Sequence, residues 1–146
     1  MADGVSMDFS DVTKLAADLG TVEGEIEKPL KSALAFAAQN VKKDAQSAVF
    51  ADKFFKAAGA AISYDVTVHA QDVTAEVGYD KDRPAGELGN LREFGAPDAQ
   101  AFGNPFAPNV PLAPHNDLQN ALEREQADFE HGIDVAVDDA LKAVGL

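Results

Sequence analysis

I-S-Y-D-V-T-V-H-A-Q-D-V-T-A-E-V-G-Y, Ile62 to Tyr79, alternates twice. Ile62, Tyr64, Val66 and Val68 alternate with Ser63, Asp65, Thr67 and His69. Val73, Ala75, Val77 and Tyr79 alternate with Thr74, Glu76 and Gly78. A period of two predicts half-buried strands. Ala70-Gln71-Asp72 supplies the turn, so the pair is predicted to be an antiparallel hairpin. A lone hairpin is marginal in water, and its apolar face has to be covered by a helix.

That helix lies upstream. Ile26, Leu30, Leu34, Ala37, Val41, Ala45 and Ala48 recur every three or four residues between about Val22 and Phe50, which is the spacing of one helical face. Alanine dominates the stripe, so a partner element can approach closely. Pro29 lies inside the span, and an interior proline removes a hydrogen bond and costs about 3 kcal/mol. The regular helix is therefore expected from about Pro29, as a first-turn residue. Ahead of it, residues 1–7 read as frayed. Ser10 is expected to cap a short helix from Asp11 to Leu19. Between the long helix and the hairpin, Ala51 to Ala61 reads as a short helix ending near Gly59. The adjacent Phe54 and Phe55 cannot both face one core from it, so one of them is expected to serve a second surface.

Downstream of the hairpin, Tyr79 to Pro114 holds six of the seven prolines. Read as a whole, the stretch is a long Pro/Gly-rich arm over 80–114, through which a helix is not expected to run. It also carries Leu88, Leu91, Phe94, Phe102, Phe106, Val110 and Leu112, more large apolar side chains than a solvated tether needs. The arm is expected to order against something. A neighbouring copy and a loop folded back on its own domain are both open at this point. After it, Asn116 is expected to cap a closing helix with Gln119 as its box partner. Leu118, Leu122, Phe129, Ile133, Val137, Leu141 and Val144 form that helix's apolar face. The expected fold is α+β: one domain over 8–146, with a long helix packed on a small antiparallel sheet, an extended arm and an amphipathic C-terminal helix.

Twelve basic against 25 acidic residues leave a net charge of −13. Such a surface repels phosphate and anionic membranes, which argues against gripping nucleic acid but not against DNA passing nearby. Without cysteine, disulfides and thiolate chemistry are excluded. The N-terminus lacks the basic and apolar regions of a secretory signal. No apolar run approaches the ~20 residues of a membrane span. A soluble protein made in a cytoplasm is expected.

No constellation indicates an enzyme. His131, Asp134 and Asp138 recur on one face of the last helix but lack a second ligand set, so no metal and no cofactor is expected. Asp80-Lys81-Asp82 opens like a calcium loop, yet Pro84 and Ala85 stand where a ligand and a glycine are needed. Gly86 to Gly95 is glycine-spaced but has no Gly-Lys-Ser/Thr. Ser63 and His69 lie about 20 Å apart along a strand and cannot form a catalytic pair.

The order of parts nevertheless resembles a known family. V-K-K-D-A (Val41 to Ala45) on the long helix is followed by V-G-Y (Val77 to Tyr79) ending the hairpin. Then come D-K-D-R-P-A-G-E-L-G-N-L-R-E-F-G (Asp80 to Gly95), N-P-F-A-P-N-V-P-L-A-P (Asn104 to Pro114) and L-Q-N-A-L-E-R-E-Q-A-D-F-E (Leu118 to Glu130). This series is similar to the small neck proteins of long-tailed bacteriophages, the head-to-tail joining, tail-completion or tail-terminator group. The phages of actinobacteria carry the nearest likeness. Ala96 stands where such proteins often have threonine or serine. The resemblance implies a non-enzymatic virion protein in a homo-oligomeric ring, hexameric or dodecameric, between neighbouring neck rings and the tail tube. DNA would pass through without specific binding. Leu91, Arg92, Phe94, Gly95, Phe102, Phe106 and Leu112 are then the expected subunit contacts. Glu123, Asp128, Asp134 and Asp138 are the expected acids of the conduit. The competing expectation is a small acidic adaptor or inhibitor that binds a basic partner as a monomer.

Overall fold

The computed structural model describes residues 3–8, 23–69, 72–96, 111–143 and 145. Its elements are strand β1 (Asp3–Asp8), helix α1 (Glu23–Phe50), a 3-10 turn (Lys56–Ala61), strands β2 (Ile62–His69) and β3 (Asp72–Tyr79), helix α2 (Gly86–Phe94) and helix α3 (Asp117–Ala143). The fold is α+β, with long helices packed on a small antiparallel sheet.

The hairpin forms as its alternation requires. Ile62 pairs with Tyr79, Tyr64 with Val77, Val66 with Ala75 and Val68 with Val73, so the apolar residues of both strands share one face. The sheet has a third strand. Asp3 to Asp8 pairs antiparallel with β3 and makes β3 the central strand of the order β1-β3-β2. The expectation that residues 1–7 are frayed is corrected here for residues 3–7, residues 1 and 2 lying outside the described residues. D-G-V-S-M-D has little strand signal of its own, and what it gains is ladder bonding to an edge that the hairpin leaves open. The expected helix over Asp11 to Leu19 and its cap Ser10 lie outside the described residues, as do Ala70 and Gln71 of the turn.

Helix α1 crosses β2 and β3, and α3 runs beside α1 and against β1. Leu34, Ala37, Ala38, Val41, Ala45 and Val49 of α1 bury against Val73, Ala75, Val77 and Tyr79 of β3 and Leu118 and Ala121 of α3. The seam between the two long helices is close. A Cβ placed on Gly132 would lie 3.7 Å from the Ala33 Cβ, which small residues permit. The α1 helix does not wait for Pro29. It is continuous over 28 residues with Pro29 inside. Ile26 and Leu30, on either side of the proline, are buried with Ala136 and Ala140 of α3. Burying two such side chains gains about 3–6 kcal/mol, enough to offset the bond that the proline removes.

Between α1 and β2 the chain makes a turn and then the 3-10 helix, where a helix was expected. Ala58, Gly59 and Ala61 are buried in it. A Cβ on Gly59 would meet the Phe50 ring at 2.5 Å, so the turn closes onto the end of α1. No helix among the described residues is long and apolar enough to cross a membrane.

Candidate interaction surface

The stretch read as an irregular arm contains helix α2, Gly86–Phe94. This corrects the expectation that a helix is excluded there. Proline density averaged over 80–114 hides the interval between Pro84 and Pro97, in which no proline occurs. Ala85, in the left-handed region at φ 64°, precedes the helix, and Gly95 at φ 69° ends it. Gly95 fits because a side chain there is strained and its Cβ would lie 2.4 Å from the Leu112 carbonyl oxygen.

Most helices of this kind point apolar residues inward. Helix α2 does the reverse. Gly86, Gly89, Arg92 and Glu93 are buried. They fall within about 120° of arc at 100° per residue. Gly89 lies against the Tyr79 ring, where a Cβ would come within 1.9 Å. The opposite arc carries Glu87, Leu88, Leu91 and Phe94. Leu88 and Phe94 are exposed, Phe94 to 61%, and Leu91 is half-buried.

The inward polar pair explains the inversion. Arg92 Nε donates to Asp117 Oδ2 at 2.6 Å and Arg92 Nη1 donates to Asp52 Oδ2. Its guanidinium lies 5.7 Å from the Phe55 ring centroid. Asp52 Oδ1 in turn accepts the N–H groups of Phe54 and Phe55 at 2.7 and 3.1 Å. Burial works against the charge on Arg92, but the bonds and charges of Asp117 and then Asp52 outweigh it and raise its pKa. The Phe54 N–H does most to lower the Asp52 carboxyl; desolvation opposes it, and Phe55 and Arg92 assist.

Glu93 is the true cap of α3. Its carboxylate accepts the Leu118 N–H at 3.0 Å and the Gln119 N–H at 3.3 Å. These are orphan donors of a helix start, where the dipole also favours negative charge. The expected cap, Asn116, has φ 54°, outside the extended conformation a capping residue adopts; its carbonyl accepts the Asn120 N–H instead. Desolvation pushes the Glu93 pKa up, the two N–H groups oppose that, and the charge of Asp117 adds to it. Tyr79 is buried beside this pair. Desolvation and then the charges of Glu93 and Asp117 raise its pKa, and its hydroxyl has no hydrogen-bond partner among the described residues.

The expected contact residues therefore divide. Phe94 and Leu91 lie on the outer arc of α2. Arg92 does not: it is buried within its own chain, because two carboxylates from other elements converge on it. Gly95 and Leu112 also take part in an internal junction, in which the N–H of Ala96 and that of Leu112 each donate to the other's carbonyl. Phe102 and Phe106 lie outside the described residues. Glu123, Asp128, Asp134 and Asp138 are all exposed on α3. Glu123, Asp134 and Asp138 fall within about 60° of arc, and Asp128 lies about 140° from Glu123. Among the described residues no group of three or more His, Asp or Glu side chains is placed to hold a metal ion.

Sequence reasoning missed Glu93 and the third strand. No local signal marks Glu93 as a cap, since the N–H groups it serves are 25 and 26 residues away. Comparison of the chain with known protein families, with curated proteins and with solved structures finds no match.

Proposed function

We propose that the chain is a structural virion protein that forms a homo-oligomeric ring in the neck of a long-tailed bacteriophage, joining head to tail as tail terminator or head-to-tail connector. The observation that carries this reading is the inverted helix α2. Leu88, Leu91 and Phe94 point outward while an arginine and a glutamate point in. Phe54, exposed to 79%, lies in the turn that Asp52 ties to Arg92. An apolar outer face held by buried ion pairs suits a protein whose partner is another protein.

The resemblance of Gly89 to Gly95 and its flanking segments to phage neck proteins supplies the class of assembly. In that setting the neighbours are further copies, the adjoining neck rings and the tail tube. The excess acid of α3 borders a conduit that DNA traverses without being held, with Glu123, Asp134 and Asp138 as its lining. Mass spectrometry of purified virions tests the reading. The chain is expected in complete particles at ring stoichiometry, and imaging of the neck is expected to find its fold between head and tail. A chain made during infection but missing from tailed particles overturns it.

A further inference from the structure

Among the described residues β2 lies at one edge of the sheet, paired with β3 alone in the order β1-β3-β2. Edge strands are commonly blunted by proline, lysine or a bulge. β2, I-S-Y-D-V-T-V-H, has no proline, no lysine and an unbroken register with β3. The Asp80 N–H donates to the Ala61 carbonyl, which makes these two a hydrogen-bonded pair at the start of that register. Counting on in twos, Ser63, Asp65, Thr67 and His69 bond to β3. Tyr64, Val66 and Val68 therefore turn their N–H and C=O groups to the outer edge. Their side chains are half-buried, whereas Val73, Ala75, Val77 and Tyr79 of β3 are buried. One more strand beside β2 would extend both the ladder and the apolar cover.

The other face of β2 selects that strand. Asp65, Thr67 and His69 are exposed. Within its own hairpin Asp65 stands opposite Glu76, also exposed, and like charges directly opposite are destabilising. Its remaining neighbours on this face, Ser63, Thr67, Thr74 and Gly78, are neutral, so a counter-charge within the sheet comes only from across the open edge. β1, D-G-V-S-M-D, at the sheet's other edge, holds two aspartates and no cation. β2 itself holds His69, a donor when neutral and a cation when protonated. In an antiparallel pair of β2 strands centred on Thr67, Asp65 of each copy faces His69 of the other. Thr67 then faces Thr67, and Val66 and Val68 exchange hydrogen bonds with their counterparts. Centring the pair on Asp65 sets two carboxylates face to face, and centring it on Val66 or Val68 leaves Asp65 without His69 opposite. Lys42, whose ammonium lies 5.9 Å from the Tyr64 ring centroid, does not oppose the pairing, because the two Tyr64 positions are then about 20 Å apart along the strands.

We infer that β2 pairs antiparallel with β2 of a second copy about a two-fold axis at Thr67, joining two three-stranded sheets into one. The axis is perpendicular to the sheet, so both copies of α1 cover the same face of the joined sheet. The contact is isologous and closes on itself, whereas the contacts of a ring are heterologous. It therefore belongs to the chain outside the ring and does not rest on the ring reading above. Pairing the two edges also removes a template on which other strands could add.

The chain has no cysteine, so single cysteines read the register. At the axis of an antiparallel pair the two Thr67 Cα atoms lie about 4.5 Å apart, within reach of a disulfide. Thr67→Cys is expected to oxidise to a covalent dimer roughly tenfold or more faster than Asp65→Cys or His69→Cys, whose own copies lie about 13 Å away along the strands. All three side chains are exposed, and thermal melting of the reduced variants checks that they fold. Sedimentation velocity of the wild type is expected to show a dimer, and Thr67→Lys, which sets two ammonium groups face to face, is expected to weaken it by roughly tenfold or more. Fastest linking at Asp65→Cys, equal linking at all three positions, or a Thr67→Lys dimer as tight as the wild type overturns the inference. A wild-type chain that sediments only as a monomer overturns it too, and the ring reading, which is tested in virions, stands or falls separately.

Discussion

Arg92 shows how far one side chain can organise this molecule. It lies between carboxylates from the turn after α1 and from the start of α3, and it is the only buried cation among the described residues. Replacing it without replacing its partners leaves Asp52 and Asp117 uncompensated. Breaking a buried pair in that way costs about 3–5 kcal/mol, so Arg92→Met is expected to lower the melting temperature by about 6–20 °C, at about 2–4 °C per kcal/mol for a chain of this size. Unchanged melting would mean that the pair contributes nothing net. Glu93 makes a different prediction. Its folded-state pKa is raised above the ordinary 4.5, so the folded chain retains a proton that the unfolded chain has already released. Stability therefore falls as pH rises from about 4.5 through the raised value. Glu93→Gln does not titrate. Its melting temperature is expected to improve relative to wild type as pH climbs through that window, and the opposite trend would show that capping outweighs desolvation. Asp52, whose pKa is lowered from 3.8, acts below this window, where stability is lost as pH falls through its folded value.

At the scale of elements, α2 is the informative case. Its polar residues are consumed inside the chain, so its apolar residues add little to the chain's own stability. Phe94→Ala is expected to change the stability of the single chain by within about 0.5 kcal/mol, as is usual for exposed sites, against about 3–5 kcal/mol for a buried phenylalanine. Circular dichroism and thermal melting of the variant check the first half of this, and its loss from assembled tails checks the second. A variant that unfolds by itself would return Phe94 to the core. Helix α2 is also tied at both ends: the Gly86 N–H donates to the Arg83 carbonyl at its start, and the His115 N–H donates to the Arg92 carbonyl at its end. Limited proteolysis is therefore expected to spare Gly86 to Phe94.

At the scale of the whole molecule, the charge asymmetry is what an assembly has to accommodate. From Asp117 to Ala143 there are eight acidic residues and two basic ones, 2 − 8 = −6 of a total of −13. Reversing Glu123, Asp134 and Asp138 to lysine is expected to leave ring formation largely intact but to slow DNA ejection, because each new cation adds a contact to phosphate. The effect should grow at low ionic strength, where the attraction reaches further. Ejection kinetics at two salt concentrations measure it, and unaltered kinetics would leave the acid with a role in solubility alone. The sequence by itself determined the parts that have a period: the hairpin from its alternation, and both long helices from their three-and-four spacing with alanine at the seam. Those signals are local, because a strand or helix face repeats within a few residues. Tertiary structure alone decided the third strand, the helix inside the proline-rich stretch, its outward apolar face and the Glu93 cap. Each depends on groups far apart in the chain. Arg92 is 40 residues from Asp52 and 25 from Asp117, and nothing in L-R-E-F says which of its side chains will find a partner inside until those carboxylates and N–H groups arrive.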